Sequence, residues 1–148
     1  MIRQIGGWGL VLGDEGSGAR LGRSLLAAAL GAVDGFRPIT PFLRAIIDEH
    51  GGSEGIISFS LAARPVEFAA YAPRILTVKD SAAQELLAAS AADVAASIDV
   101  LQGTPPLPVT LIGGLGPAYA DQLARRWTVV PAQGSALDGA LMLVREAA

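Results

Sequence analysis

The stretch Pro108-Val109-Thr110-Leu111-Ile112-Gly113-Gly114-Leu115-Gly116-Pro117 decides the fold. Its branched run, Val109 to Ile112, reads as a buried strand that stops at a diglycine turn. Pro117 opens a helix to about Arg125. Trp127-Thr128-Val129-Val130 reads as a second short strand, and Gly134-Ser135 introduces a last helix through Val144. Strand–helix–strand–helix implies parallel pairing with right-handed crossovers, so the expected class is α/β. In open sheets of this kind, ligands bind at the carboxyl ends of strands. Residues 113–116 are therefore a candidate ligand turn on physical grounds. The other reading, a tight turn that merely needs positive φ, stays open at this point.

Upstream, the chain reads as mostly helical. Gly103-Thr104-Pro105-Pro106 stops a long helix that Asp80 or Ser81 caps. That helix runs to about Leu101 on a stripe of Ala83, Leu86, Leu87, Ala91, Val94, Ala95, Ile98 and Leu101. Pro65 to Tyr71 and Ser53 to Ala63 read as short helices. Thr40 is an N-cap with Pro41 in the first turn of a helix to Glu49, which buries Phe42, Leu43, Ile46 and Ile47. Ala19 to Val33 keeps helical spacing at Leu21, Leu25, Leu26, Ala29, Leu30 and Val33, with Gly35 as a stop. Before it, in the Ile2–Leu12 segment, Ile5 and Leu10-Val11-Leu12 read as strand pieces broken by Gly6, Gly7 and Gly9. There is no internal repeat and no low-complexity linker.

Composition bounds what this chain can do. Its 148 residues fit one domain. A hydrophobic share of 51% with 17% charged residues supports a core and argues against disorder. The net charge is −3, and one Lys stands against ten Arg, so no polybasic patch points to nucleic acid or an anionic membrane. Mean hydropathy is high at +0.46, yet no window approaches an uninterrupted span of roughly 20 apolar residues. The first residues lack a signal-peptide pattern, and a cytoplasmic location is the default expectation. With no Cys, the chain has no disulfide, thiolate metal site or cysteine-ligated cluster of its own. A single His, His50, excludes a multi-histidine metal site; its place before Gly51 suits a helix C-terminus.

A second motif carries chemistry. Gly6-Gly7-Trp8-Gly9 is followed by Gly13-Asp14-Glu15-Gly16-Ser17-Gly18. Glycines let a ligand approach the main chain and its N–H donors. Trp8, set between glycines, suits stacking on a flat ligand face better than core packing. Glu15 reads as a helix-dipole acid, with Ser17 as a cap. Asp14 reads as functional: a carboxylate in that turn can accept two hydroxyl hydrogen bonds, a common way of holding sugars.

Gly7-Trp8-Gly9 through Gly13-Asp14-Glu15-Gly16-Ser17-Gly18, then Gly22-Arg23, resembles the N-acetylglucosamine kinase and BadF/BadG-type ATPase family of the actin-like hexokinase superfamily. Leu111-Ile112-Gly113-Gly114-Leu115-Gly116 resembles its adenosine motif, and Gly134-Ser135-Ala136-Leu137-Asp138-Gly139-Ala140 its closing helix start. The matches follow family order and span nearly the whole chain. The resemblance implies a ribonuclease-H-like, actin-like C-terminal lobe, helix-rich with an incomplete sheet. It places Gly7, Trp8, Gly9 and Asp14 at an amino sugar. It places Gly113 and Gly114 at the adenosine of ATP, with Mg²⁺ assisting in-line phosphoryl transfer. Lys79 stands near where the family often has glycine beside the nucleotide; a solvated helix-entry charge and a phosphate contact are both open readings.

The family's first phosphate hairpin and its catalytic aspartate belong to an N-terminal lobe. Residues 1–148 are therefore expected to be the C-terminal lobe alone, with no catalytic residue and no activity in isolation. Arg20 departs from the family, which usually has an aromatic residue there. An incomplete sheet would leave the N-terminal strand exposed, which implies a homo-oligomer. Two other functions are weighed. A non-catalytic nucleotide-binding or regulatory module would bind ATP without turnover. A BadF-type activator would hold an iron–sulfur cluster by cysteines, which this chain lacks.

Overall fold

Eight helices follow one another in a computed structural model that describes residues 3–146. They are α1 (Gly18–Val33), α2 (Pro41–Glu49), α3 (Ser53–Ala62), α4 (Pro65–Ala69), α5 (Ala72–Thr77), α6 (Ser81–Leu101), α7 (Gly116–Leu123) and α8 (Ala136–Glu146). The chain divides into two compact units, Met1–Leu101 and Gln102–Ala148.

In the first unit, α1 is the hub, packing against α2, α3, α4, α5 and α6. Ser17 starts it, its hydroxyl accepting the Arg20 N–H at 3.0 Å. Gly35 ends it at φ +83, with the Phe36 N–H reaching Gly31 O at 2.9 Å in a Schellman turn. The stripe Leu21, Leu25, Leu26, Ala29 and Ala32 is buried, while Val33 is not. Helix α2 begins as the sequence predicts, on Thr40 with Pro41 in the first turn, and Phe42, Leu43, Ile46 and Ile47 are buried.

Asp80 joins α2 to α6. It is 8% exposed. One carboxylate oxygen accepts the Phe42 N–H at 3.1 Å, the other the Ala82 N–H at 2.9 Å. Burial pushes its pKa up. Hydrogen bonds from Phe42, the Thr40 hydroxyl, Ala82 and Ala83 outweigh that and hold the carboxyl below its ordinary value. His50 is the C-cap of α2, as its position implied. Its Nε2 is 2.7 Å from the Tyr71 hydroxyl, and its ring meets Phe59 edge-on. Burial, with Glu49 adding and Arg74 opposing, raises the Tyr71 pKa.

In the second unit, the expected strands are reduced to one parallel bridge, Val109 with Val129. The Val109 N–H donates to Thr128 O and the Val130 N–H to Val109 O, each at 2.9 Å. The direction is the parallel one read from the strand–helix–strand–helix pattern. The extent differs, because a ladder needs flanking strands and none lies beside these segments among the described residues. Tyr119 and Leu123 of α7 are buried. Ser135 and Asp138 cap α8 reciprocally: the Asp138 N–H reaches Ser135 Oγ, and Asp138 Oδ2 accepts from the Ser135 hydroxyl and N–H. Those bonds hold the Asp138 carboxyl below its ordinary value.

The N-terminal strand pieces are also corrected. Gly6, Gly7 and Gly9 have φ of +72, +75 and +79, values that extended strand backbone does not adopt. Residues 10–12 instead form a turn closed by the Gly13 N–H on Gly9 O at 2.9 Å. Ile2 lies outside the described residues. The helix-rich part of the expected fold stands, and among the described residues the incomplete sheet does not extend beyond the single bridge. No described helix is long and apolar enough to cross a membrane.

Candidate functional site

The glycine-rich N-terminal segment folds back on itself because its glycines, and Asp14 at φ +71, sit in the left-handed region. Asp14 tolerates that conformation better than most residues with a Cβ. Its carbonyl accepts the Ser17 N–H at 3.0 Å, tying the loop to the start of α1. Gly13 is buried between two side chains. A Cβ there would stand 3.3 Å from Trp8 Cβ and 3.2 Å from Glu15 Oε2. Trp8 and the Asp14 loop are thereby brought together, although the sequence separates them. The indole is 76% exposed, so it is a surface feature and not part of the core. Gly7 and Gly9 are exposed beside it, and Asp14 is half-buried.

Two arginines of α1 hold this loop. Arg23 donates to Leu10 O at 2.8 Å. Arg20 donates to Gly13 O at 3.3 Å, pairs with Glu15 at 2.9 Å, and reaches Asp93 of α6 at 3.2 Å. Glu15 is therefore an ion-pair partner of Arg20. The sequence had suggested a helix-dipole acid for Glu15 and gave no sign of the Asp93 contact, which crosses 73 residues.

Lys79 is exposed on the short connection between α5 and α6 in the first unit. Gly113 and Gly114 are exposed in the second unit, in a turn closed by the Gly116 N–H on Gly113 O at 3.1 Å. Gly113 has φ +104, which favours glycine; Gly114 does not need it. A Cβ on either would meet nothing within 4 Å, so the turn presents open main chain. Among the described residues no group of three or more His, Cys, Asp and Glu could hold a metal ion.

No family model matches the chain. Glucosamine kinase GspK of Vibrio cholerae is 31% identical over 145 residues, which is 93% of this chain and 49% of that protein. A crystal structure of a candidate N-acetylglucosamine kinase from Chromobacterium violaceum superposes with a TM-score of 0.80 at 36% identity, over 95% of this chain and 51% of that one. The fold is thus one shared with proteins named as amino-sugar kinases. This chain is a homologue of their C-terminal part and spans about half the length of the relatives it matches.

Proposed function

We propose that this chain is the C-terminal half of an ATP-dependent amino-sugar kinase acting on glucosamine or N-acetylglucosamine. One observation carries the proposal: the indole of Trp8 stands exposed, flanking Gly13 in the loop that carries Asp14. A sugar offers an apolar ring face and vicinal hydroxyls, which suit an indole and a carboxylate. Gly7 and Gly9 leave room for it to approach the main chain. The open main chain at Gly113 and Gly114 suits the flat adenine of ATP, and Lys79 is a candidate for its phosphates. A cytoplasmic setting is part of the proposal.

In the reaction a sugar hydroxyl oxygen bonds to the γ-phosphorus of ATP, the bond to the bridging oxygen breaks, ADP leaves, and a base takes the hydroxyl proton. Mg²⁺ neutralises phosphate charge in such transfers. This chain's share is to orient the sugar and to seat the adenosine. The base and the first phosphate hairpin are assigned to the other half of the kinase.

Titration of glucosamine and N-acetylglucosamine against Trp8 fluorescence in the Trp127→Phe chain tests the sugar site. Quenching that saturates with either supports it; none with both overturns it. ATP consumption by the 148 residues alone would overturn the assignment of the base to the other half.

A further inference from the structure

Arg20 stands between two carboxylates on different elements. Glu15 Oε1 belongs to the loop that carries Asp14, and Asp93 Oδ2 belongs to α6. A third bond goes to Gly13 O, the residue on which the Trp8 indole rests. The guanidinium fork matches this task, since it can address several acceptors at once. Three positions in one chain are thereby linked: Asp93 of α6, Glu15 of the loop, and the Gly13 carbonyl beneath the indole.

The link borders a cleft. Arg20, Leu21, Ser24, Leu86, Ala89, Ser90 and Asp93 line a cleft of about 220 Å³ between α1 and α6, so both ends of the Arg20–Asp93 pair border open space. The side chains of Arg20, Glu15 and Asp93 are 32%, 31% and 41% exposed, which leaves the pairs within reach of salt. A contact that is charged, partly wet and bordered by a cleft can open without unfolding the helices beside it.

We propose that Arg20 is a positioning residue. The ionic latch Glu15–Arg20–Asp93 sets where the Gly13–Gly18 loop presents Asp14 and where the Trp8 indole stands. The latch makes the ligand competence of this site depend on ionic strength and on the charge at position 93. Its effect on the ligand rests on the sugar-site proposal above; its effect on the loop does not.

The test uses the full chain with Trp127→Phe, which leaves Trp8 as the single tryptophan. Trp8 anisotropy and the glucosamine Kd are measured at about 50 and 500 mM KCl, which brackets strong and weak screening. In the parent, anisotropy falls and Kd rises with salt. Asp93→Asn and Glu15→Gln each lower anisotropy at low salt and flatten its salt response. Each also weakens glucosamine by about fivefold, the scale of one partly exposed ion pair. Ser24→Ala, which lines the same cleft without charge, changes neither. Urea midpoints near the parent's separate positioning from stability. Unchanged anisotropy and salt response in both charge variants overturn the latch. Lowered anisotropy with no glucosamine binding in any variant upholds the latch and sinks only the sugar site.

Discussion

Gly22 of α1 lies against the main-chain carbonyl of Phe68 in α4: a Cβ on Gly22 would stand 1.9 Å from that oxygen. Helix propensity alone favours Gly22→Ala by about 1 kcal/mol. The overlap opposes it, because the Phe68 carbonyl is backbone and cannot rotate away. We expect Gly22→Ala to destabilise the chain by about 3 kcal/mol, the scale of core overpacking. Gly31→Ala in the same helix meets nothing within 4 Å and should stabilise by about 0.5–1 kcal/mol. Urea denaturation of the pair checks the sign. A Gly22→Ala variant as stable as the parent would mean that α1 and α4 do not approach this closely.

Helix starts were legible in the sequence because capping is local: Ser17, Thr40 with Pro41, and Asp80 each mark a start within one turn. Helix α5 was not, although Pro73 occupies its first turn, where proline is tolerated. The strands were over-read. Branched residues at 109–112 state a preference that only a neighbouring strand can satisfy, and positive φ at Gly6, Gly7 and Gly9 rules out strand there. At the site, the family resemblance grouped Trp8 with Asp14, and Gly13 is where the indole and the Asp14 loop meet. The Arg20–Asp93 contact was not legible, since no local pattern connects α1 to a residue 73 positions away.

Asp80 makes stability depend on acid. Its folded pKa lies below the ordinary 3.8. Its contribution is therefore full above that value and is lost as pH falls through it toward the lower folded pKa. Urea midpoints followed from pH 7 down to about 2.5 should drop more steeply in the parent than in Asp80→Asn. At neutral pH, Asp80→Ala should cost about 2 kcal/mol, since it strips caps from two helix starts. Parallel pH profiles for the parent and Asp80→Asn would contradict this.

Asp14 separates chemistry from conformation. Asparagine tolerates φ +71 as aspartate does, so Asp14→Asn should keep the loop and lose only the charge. We expect glucosamine to bind about tenfold more weakly, as loss of a charge-assisted hydrogen bond predicts, with the thermal midpoint unchanged. Trp8→Ala should remove stacking at equally small cost to stability, because the indole is on the surface. Calorimetry with glucosamine, beside a thermal melt, reads both quantities. A large loss of stability in either variant would recast these residues as structural.

Gly114 isolates the nucleotide contact. Its φ is ordinary, and a Cβ would meet nothing within 4 Å, so Gly114→Val should leave the turn folded. A branched side chain there would still stand where adenosine is proposed to lie. ADP affinity should fall by about tenfold or more, the scale of losing close packing on one ring face. Gly113→Val is a poorer probe, because φ +104 strains any branched residue. Equal ADP affinity in the parent and Gly114→Val, by calorimetry, would leave the turn a structural one.

The N-terminal segment should drive self-association, although not by strand pairing. Its glycines turn the backbone away from an extended edge, yet Val11 and Leu12 are 85% and 83% exposed beside the exposed Trp8. Apolar side chains left in water at that density favour burial against a second surface. We expect light scattering coupled to size exclusion to show a mass that rises with concentration. Val11→Lys with Leu12→Lys should return the chain to monomer at little cost in stability, because neither residue contributes to the core. A strand-exchange mechanism would instead be insensitive to these side chains and sensitive to Gly6, Gly7 and Gly9. A clean monomer at high concentration in the parent would remove both routes.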